Sequence, residues 1–239
     1  MISVDTVYQR VLAIANKEQR GYITPQEFNL IANQAQSEIF EDYFTQMNGA
    51  KQVPGNESEY SDIVKTLNEK MSFFKTRDTL SYSAPFFVYP SDMYKLGTVW
   101  FARPGGGANI GVAAGGVEVQ EITEDELLDY MYSPLTKPNR SRPLYIRNEE
   151  GIRVYSGITG GITASYIRKP RGVNSSGTVD KVNWAYVVTN GQALYNAARS
   201  ANFELHESEE ALLVMKILEL AGIIIQKPDL VGIGQQKQQ

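Results

Sequence analysis

Cysteine is absent and histidine occurs once, at position 206, in a chain of 239 residues. Without cysteine there is no disulfide, no thiolate nucleophile and no cysteine-bound zinc. One histidine rules out sites built on histidine pairs. Long hydrophobic runs are missing too. The longest apolar stretch, around Leu220 to Ile225, falls far short of the roughly 20 residues of a membrane-spanning helix, so no membrane partner is expected. The opening MISVDTVYQR has no basic segment followed by an apolar run, so no secretory signal is expected. Basic excess is lacking as well: 23 Lys and Arg stand against 27 Asp and Glu, a net charge of −4. Phosphate affinity comes from Lys and Arg, so the composition disfavours a general nucleic-acid binder.

What is present is an ordinary core-forming composition. Hydrophobic residues make up 42% and aromatics 10%, which excludes general disorder. The length allows one or two domains. Charge is uneven along the chain. Between 139 and 181 there are 8 basic residues (Arg140, Arg142, Arg147, Arg153, Arg168, Lys169, Arg171 and Lys181) and 3 acidic ones, a local +5. Solvated strand faces would account for this block. So would a surface complementary to an acidic neighbouring subunit.

The chain opens with helical patterning. Val4, Val7, Val11, Leu12 and Ile14 fall near helical spacing. A second helix starts with Thr24 as N-cap, Pro25 in the first turn, Glu27 closing a capping box, and Ile23 and Phe28 as a hydrophobic staple. Its face continues through Ile31, Ala35, Ile39 and Tyr43 to about Met47, before a loop at 48–56. A third helix is expected over 58–75. The pattern then turns to strands: APFFVYP, YKLGTVWF, and a meander of RPLYIR, GIRVYS and GITASYIRKP. A short helix at 123–131 has a second full start signal in Ile122, Thr123, Glu126 and Leu127. NWAYVVT-Asn190-Gly191-QALYNAA reads as a hairpin, with a helix over 192–199 competing. A long helix over about 207–225 is expected to close the fold, stopped by Pro228 and followed by a mobile tail. Helices, then strands, then a helix give an α+β fold: an N-terminal helical bundle and a long C-terminal helix packed with an antiparallel β region. The expected divisions are a helical region 1–80 and a β-rich region 81–182 with a flexible loop at 104–116. The third is a 183–239 segment whose helix packs with the N-terminal helices.

Catalytic and metal motifs fail on inspection. NKEQRGYITPQEF echoes a calcium loop, with Gly21, Ile23 and Glu27 in the required places, but Arg20 stands where an oxygen ligand is needed. The glycines at 105–107 are followed by no Lys-Ser or Lys-Thr pair and miss the dinucleotide spacing. His206 has no G-x-S-x-G partner and reads as a cap of the last helix. Glu124, Asp125 and Glu126 sit in a first helical turn, where they complement the helix dipole. No catalytic, cofactor or metal residue is therefore assigned, and no enzyme is expected. A carboxylate-based hydrolase and a degenerate calcium module remain the alternatives.

The strongest positive signal is the last helix. Leu213, Ile217, Leu220 and Ile224 form one apolar stripe, and Val214, Leu218, Ala221 and Ile225 a second beside it. Together they exceed the arc a surface helix buries. One side can face the chain's own core and the other a neighbouring subunit; burial in a single core satisfies the same pattern. Fourteen tyrosines suit interfaces, combining large area with a polar tip.

Several stretches resemble one family: MISVDTVYQRVLAIANKEQRGYITPQEFNLIANQAQ, VQEITEDELLDYMYSPLTKP, PLYIRNEEGIRVYSG with ITASYIRKP, and NFELHESEEALLVMKILELAGIIIQKP. In these blocks the chain is similar to the neck or head-to-tail connector ring proteins, tail-adaptor-like, of short-tailed, crAss-like phages. The resemblance implies a structural virion protein, assembled in the bacterial host cytoplasm. It implies a homo-oligomeric ring, commonly of twelve copies, between the portal protein and adjacent neck or tail rings. DNA would pass through the ring without sequence-specific binding. A ring joins unlike faces of successive subunits, and the basic block within acidic flanks offers such faces. Arg140, Arg142, Arg147, Arg153, Arg168, Lys169 and Arg171, with Leu213, Ile217, Leu220 and Ile224, are the expected subunit or partner contacts.

Overall fold

The computed structural model describes residues 1–17, 23–52, 57–102 and 116–222. The fold is α+β and divides into two compact units, one of Met1–Phe73 with Pro170–Gln239 and one of Phe74–Lys169. The expected boundaries shift. Residues 75–79, placed with the helices by sequence, form a strand, and 170–182 belong to the helical unit. Of the expected loop 104–116, residues 104–115 lie outside the described residues. So do the tail, Ile224, Pro228 and residues 18–22 of the calcium-like stretch.

The first unit begins with helices α1 (Val4–Lys17), α2 (Pro25–Gln52) and α3 (Glu57–Ser72). Val4, Val7, Tyr8, Val11 and Ala15 are the buried stripe of α1. The start signal of α2 operates as read. Glu27 Oε2 accepts from Thr24 N at 3.0 Å, and Thr24 Oγ1 accepts from Glu27 N at 3.3 Å. Ile23 and Phe28 are both buried. The helix runs past Met47 to Gln52, through 48–52 of the expected loop, whose remaining residues 53–56 lie outside the described residues.

The second unit is a β structure that closes on itself. Its strands are β1 (Lys75–Thr79), β2 (Ser81–Ser83), β3 (Phe86–Val88), β4 (Met93–Phe101), β5 (Val117–Glu118), β6 (Gln120–Glu121), β7 (Leu144–Arg147), β8 (Gly151–Tyr155) and β9 (Ile162–Arg168). One sheet has the order β1-β9-β4-β5 and the other β2-β3-β8-β7-β6. Only Leu80 separates β1 from β2, and only Val119 separates β5 from β6, so each sheet continues into the other at both ends. Closure removes the free edges of an open sheet. Leu80, Phe87, Leu96, Val99, Val119, Ile152, Ile162 and Ala164 fill the interior. Gly151 is required where β8 crosses β3, because a Cβ there would lie 2.2 Å from the Phe87 carbonyl oxygen.

The expected three-stranded meander is corrected. Strands β7 and β8 do pair, but β9 leaves them to pair with β1 and β4. Gly157 and Gly161, at φ +67° and +73°, turn the chain across the interior. There Ile162 and Ala164 find their apolar neighbours. The pairing is also not wholly antiparallel, since β6 and β7 run parallel. Helix α4 (Glu124–Tyr132) follows β6 with its capping box formed. Leu127 and Tyr130 cover Ile122, Leu144 and Ile146 on the outer side of β7.

The chain then returns to the first unit through β10 (Gly172–Asn174), β11 (Gly177–Val179), β12 (Tyr186–Thr189), β13 (Gln192–Tyr195) and β14 (Asn202–Phe203). Asn190 and Gly191, at φ +53° and +77°, make the tight β12–β13 turn, and the competing helix over 192–199 does not form. Helix α5 spans Glu210–Leu220 after a 3-10 turn at Glu207–Glu209. It is shorter than expected, because His206 caps the turn and Gly222, at φ +71°, takes the chain out of helical geometry.

One row of side chains holds this returning segment. Asn29, Asn33 and Gln36 stand at i, i+4 and i+7 on α2. Asn33 Oδ1 accepts from Val182 N at 2.9 Å, while its Nδ2 donates to Val182 O at 2.8 Å. Asn29 does the same for Trp184, at 2.7 and 3.2 Å. Gln36 accepts from Glu204 N and donates to Arg171 O, both at 3.2 Å. These amides treat the irregular backbone as a neighbouring strand would.

Asn33→Ala leaves both backbone groups of the buried Val182 unpartnered. About 1–3 kcal/mol of stability should be lost for each orphaned group. Urea unfolding should show a lower midpoint with an unchanged m-value; an unmoved midpoint refutes this role.

Candidate interaction surfaces

The expected contact residues are divided between the two units. Arg171 lies in the helical unit and the other six basic residues in the β unit. Arg147 grips Glu121 with two nitrogens, at 2.6 and 2.7 Å. Arg153 lies over the Tyr155 ring at 5.3 Å. Arg142 donates to the Leu135 carbonyl. Arg140 and Lys169 are exposed, and Arg168 ends β9 opposite Met93. Much of the basic block therefore supports local structure.

The apolar stripe of α5 is also corrected. Leu213 and Ile217 are 0% exposed, where α5 packs on α1 and α2. Val214 and Leu218 are buried as well, and Leu220 is half-buried. The described residues of both stripes therefore serve the chain's own core; Ile225, like Ile224, lies outside the described residues. The excess apolar arc arises because α5 is nearly surrounded, leaving Met215 outward.

Two surfaces that sequence reading passed over are apolar and open. The first is the β12–β13 hairpin. Among the described residues its strands pair with each other and with no third strand, so each keeps an open edge there. No charged residue occurs from Tyr186 to Tyr195. Val187, Val188 and Leu194 are exposed, Val188 by 64%. Because Val187 and Val188 are adjacent in a strand, they present apolar area on both faces. The base is firmly held: Trp184 lies 4.4 Å from the Tyr8 ring, 5.7 Å from Tyr195 and 5.9 Å from Tyr186. Its Nε1 donates to Asp5 at 3.0 Å. The second surface is the outward side of α4, where Leu128, Tyr132 and, just beyond, Leu135 are exposed, Tyr132 by 82%. Absence of charge on a hairpin and apolar residues outside the buried arc of a helix were the available signals.

The sites weighed for chemistry are occupied by structural duties. His206 Nδ1 accepts from Ser208 N at 3.2 Å as a cap. The Glu27 carboxylate closes the α2 cap, and its pKa is held low by the Thr24 backbone N–H and then by the Thr24 hydroxyl. A cleft of about 450 Å³ beside an irregularity in β4 is lined by Gly97, Thr98, Glu118, Gln120, Glu121 and Tyr145, among others. Of its two carboxylates, Glu121 is already bound by Arg147 and by Tyr145 Oη at 3.0 Å. Burial pushes the Tyr145 hydroxyl up. Among the described residues no group of three or more His, Asp or Glu is placed to hold a metal ion. No helix there is long and apolar enough to cross a membrane.

One buried titratable group stands apart. Tyr43, on α2, has a buried hydroxyl with no hydrogen-bond partner among the described residues. Burial, and then the nearby Glu209 charge, raise its pKa well above the ordinary phenol value. Glu209 is itself paired with Lys70, whose Nζ lies 6.0 Å from the centre of the Tyr43 ring.

A scan against protein-family models finds no matching family, and a search of curated proteins finds no match.

Because the Tyr43 hydroxyl is desolvated without compensation, Tyr43→Phe should be neutral or stabilise by up to about 1 kcal/mol. Thermal unfolding checks this; a loss above that size would mean the hydroxyl has a partner.

Proposed function

We propose that this protein is a structural subunit of a homo-oligomeric ring in the neck of a short-tailed, crAss-like phage. The ring, of about twelve copies on the family resemblance, would join the portal to the next neck or tail ring around the DNA exit channel. Subunits are made in the host cytoplasm and end in the virion, and the role involves no bond-making chemistry.

The supporting observation is the β12–β13 hairpin. A two-stranded hairpin is marginal in water on its own. An uncharged, apolar edge is a hazard that monomeric proteins blunt with lysine, proline or a cover. Among the described residues this hairpin has none of these, yet its base is anchored by an aromatic stack. Such a surface suits permanent burial against another subunit. An acidic overall balance also suits a conduit through which DNA must slide.

Electron microscopy of the purified protein, alone and with portal, tests the reading, as does its presence in mature particles. Val188→Asp combined with Leu194→Asp should leave the melting temperature within a few degrees and abolish ring formation or portal binding. A protein that stays monomeric with and without portal, and is missing from virions, sinks the proposal.

A further inference from the structure

Within the β unit, two oppositely charged faces lie on opposite sides of the closed ladder. Ile162 and Ala164 point inward on β9, so alternation turns Thr163, Ser165 and Ile167 to the outer side, where Thr163 is itself buried and the other two are half-buried. Lys75 and Lys95 both register with Ile167, Arg77 with Ser165, and Trp100 with Thr163. The outer side of β1-β9-β4 therefore carries Lys75 and Lys95 beside Ile167, Arg77 beside Ser165 and Trp100 beside Thr163. The three cations are exposed, and Arg77 lies over the Trp100 ring at 4.8 Å. Tyr94, at the irregularity in β4, is exposed beside them. One carboxylate, Glu118, faces Trp100 at the β5 edge.

The other face is the outward side of α4. Leu127 and Tyr130 are turned to the β7–β8 side, which leaves Glu124, Asp125, Leu128, Asp129 and Tyr132 exposed. In the order of pairing, β9 and the β7–β8 pair are separated by other strands in both directions round the ladder.

We infer that α4 of one copy docks on the outer β1-β9-β4 face of the next copy. This rests on the ring reading and names the surfaces that would make the ring. Charge matches: acidic side chains meet three cations. Spacing matches as well. Asp125 and Asp129 repeat at about 6 Å along a helix, and Lys75 and Arg77 at about 6.6 Å along a strand. A helix laid along β1 would bring both pairs into register. Leu128 and Tyr132 would then cover Ile167, Trp100 and the aliphatic stems of the cations. That apolar centre is needed, because exposed ion pairs alone contribute little. The faces are unlike, so the contact is heterologous and propagates from copy to copy.

The test uses the full chain in two forms, R77E/K95E and D125K/D129K, with circular dichroism confirming the fold of each. Sedimentation should show self-association weakened about tenfold or more in each form, and weakened by salt in the wild type. A one-to-one mixture of the two forms should co-assemble with the forms alternating, since the native helix of the first meets the native face of the second and the reversed helix of the second meets the reversed face of the first. The protein carrying all four substitutions should regain assembly. Rings that persist in both forms, or a mixture that does not co-assemble, overturn this contact while leaving the ring reading intact. A wild-type chain that stays monomeric with and without portal overturns both.

Discussion

The helical unit depends on a row of carboxamides that lets a helix act as a sheet edge. A returning chain with short strands and irregular stretches leaves many backbone N–H and C=O groups without ladder partners. Burying them unpaired would cost more than the packing returns. Helix α2 cannot supply main-chain partners, since its own are used internally. Asn29, Asn33 and Gln36 replace them, each presenting one acceptor and one donor to backbone groups. With that segment fixed, Trp184 is held against Tyr8, Asn202 accepts from Val4 N at the start of α1, and Phe203 bridges to Ile2. The hairpin base and the approach to α5 then have defined positions.

Legibility in the sequence followed the range of the interaction. Features set by neighbours a few residues apart were readable: the Thr24–Glu27 and Thr123–Glu126 caps, the staples, and the Asn190-Gly191 turn. Interactions between distant parts were not. The spacing of Asn29, Asn33 and Gln36 is visible, but polar residues on a helix ordinarily face water, and nothing local says that residues 171–204 come to meet them. The exit of β9 from the meander was hidden for the same reason. A hairpin-like spacing fits β7, β8 and β9 equally well, and only the filling of the interior by Ile162 and Ala164 chooses the partners. The α5 stripe shows the converse: its apolar arc was read correctly, but periodicity does not say whether the surroundings belong to the same chain. Leu213 and Ile217 lie in the chain's own core.

Charge clustering in sequence proved a weaker guide than charge clustering on a surface. The block at 139–181 looks like one basic patch, yet Arg147 is consumed by Glu121, Arg153 lies over a tyrosine, and Arg171 belongs to another unit. The face gathered by Lys75, Arg77 and Lys95 draws on strands far apart in the chain, from stretches whose overall balance is acidic. Strand register creates this patch.

In the proposed ring, helix α4 is a surface that a second copy would cover. It has nine residues and no buried one. A helix of that length is marginal in isolation. Its capping box and the contacts of Leu127 and Tyr130 are what hold it. Leu128 and Tyr132 add nothing to that hold, since they point away from it, and polar residues there would improve solvation at no cost to the fold. The same holds for Val188 and Leu194 at the far side of the anchored hairpin. On the proposed ring, these apolar side chains, which the described fold does not use, would gain their value from contacts with another copy.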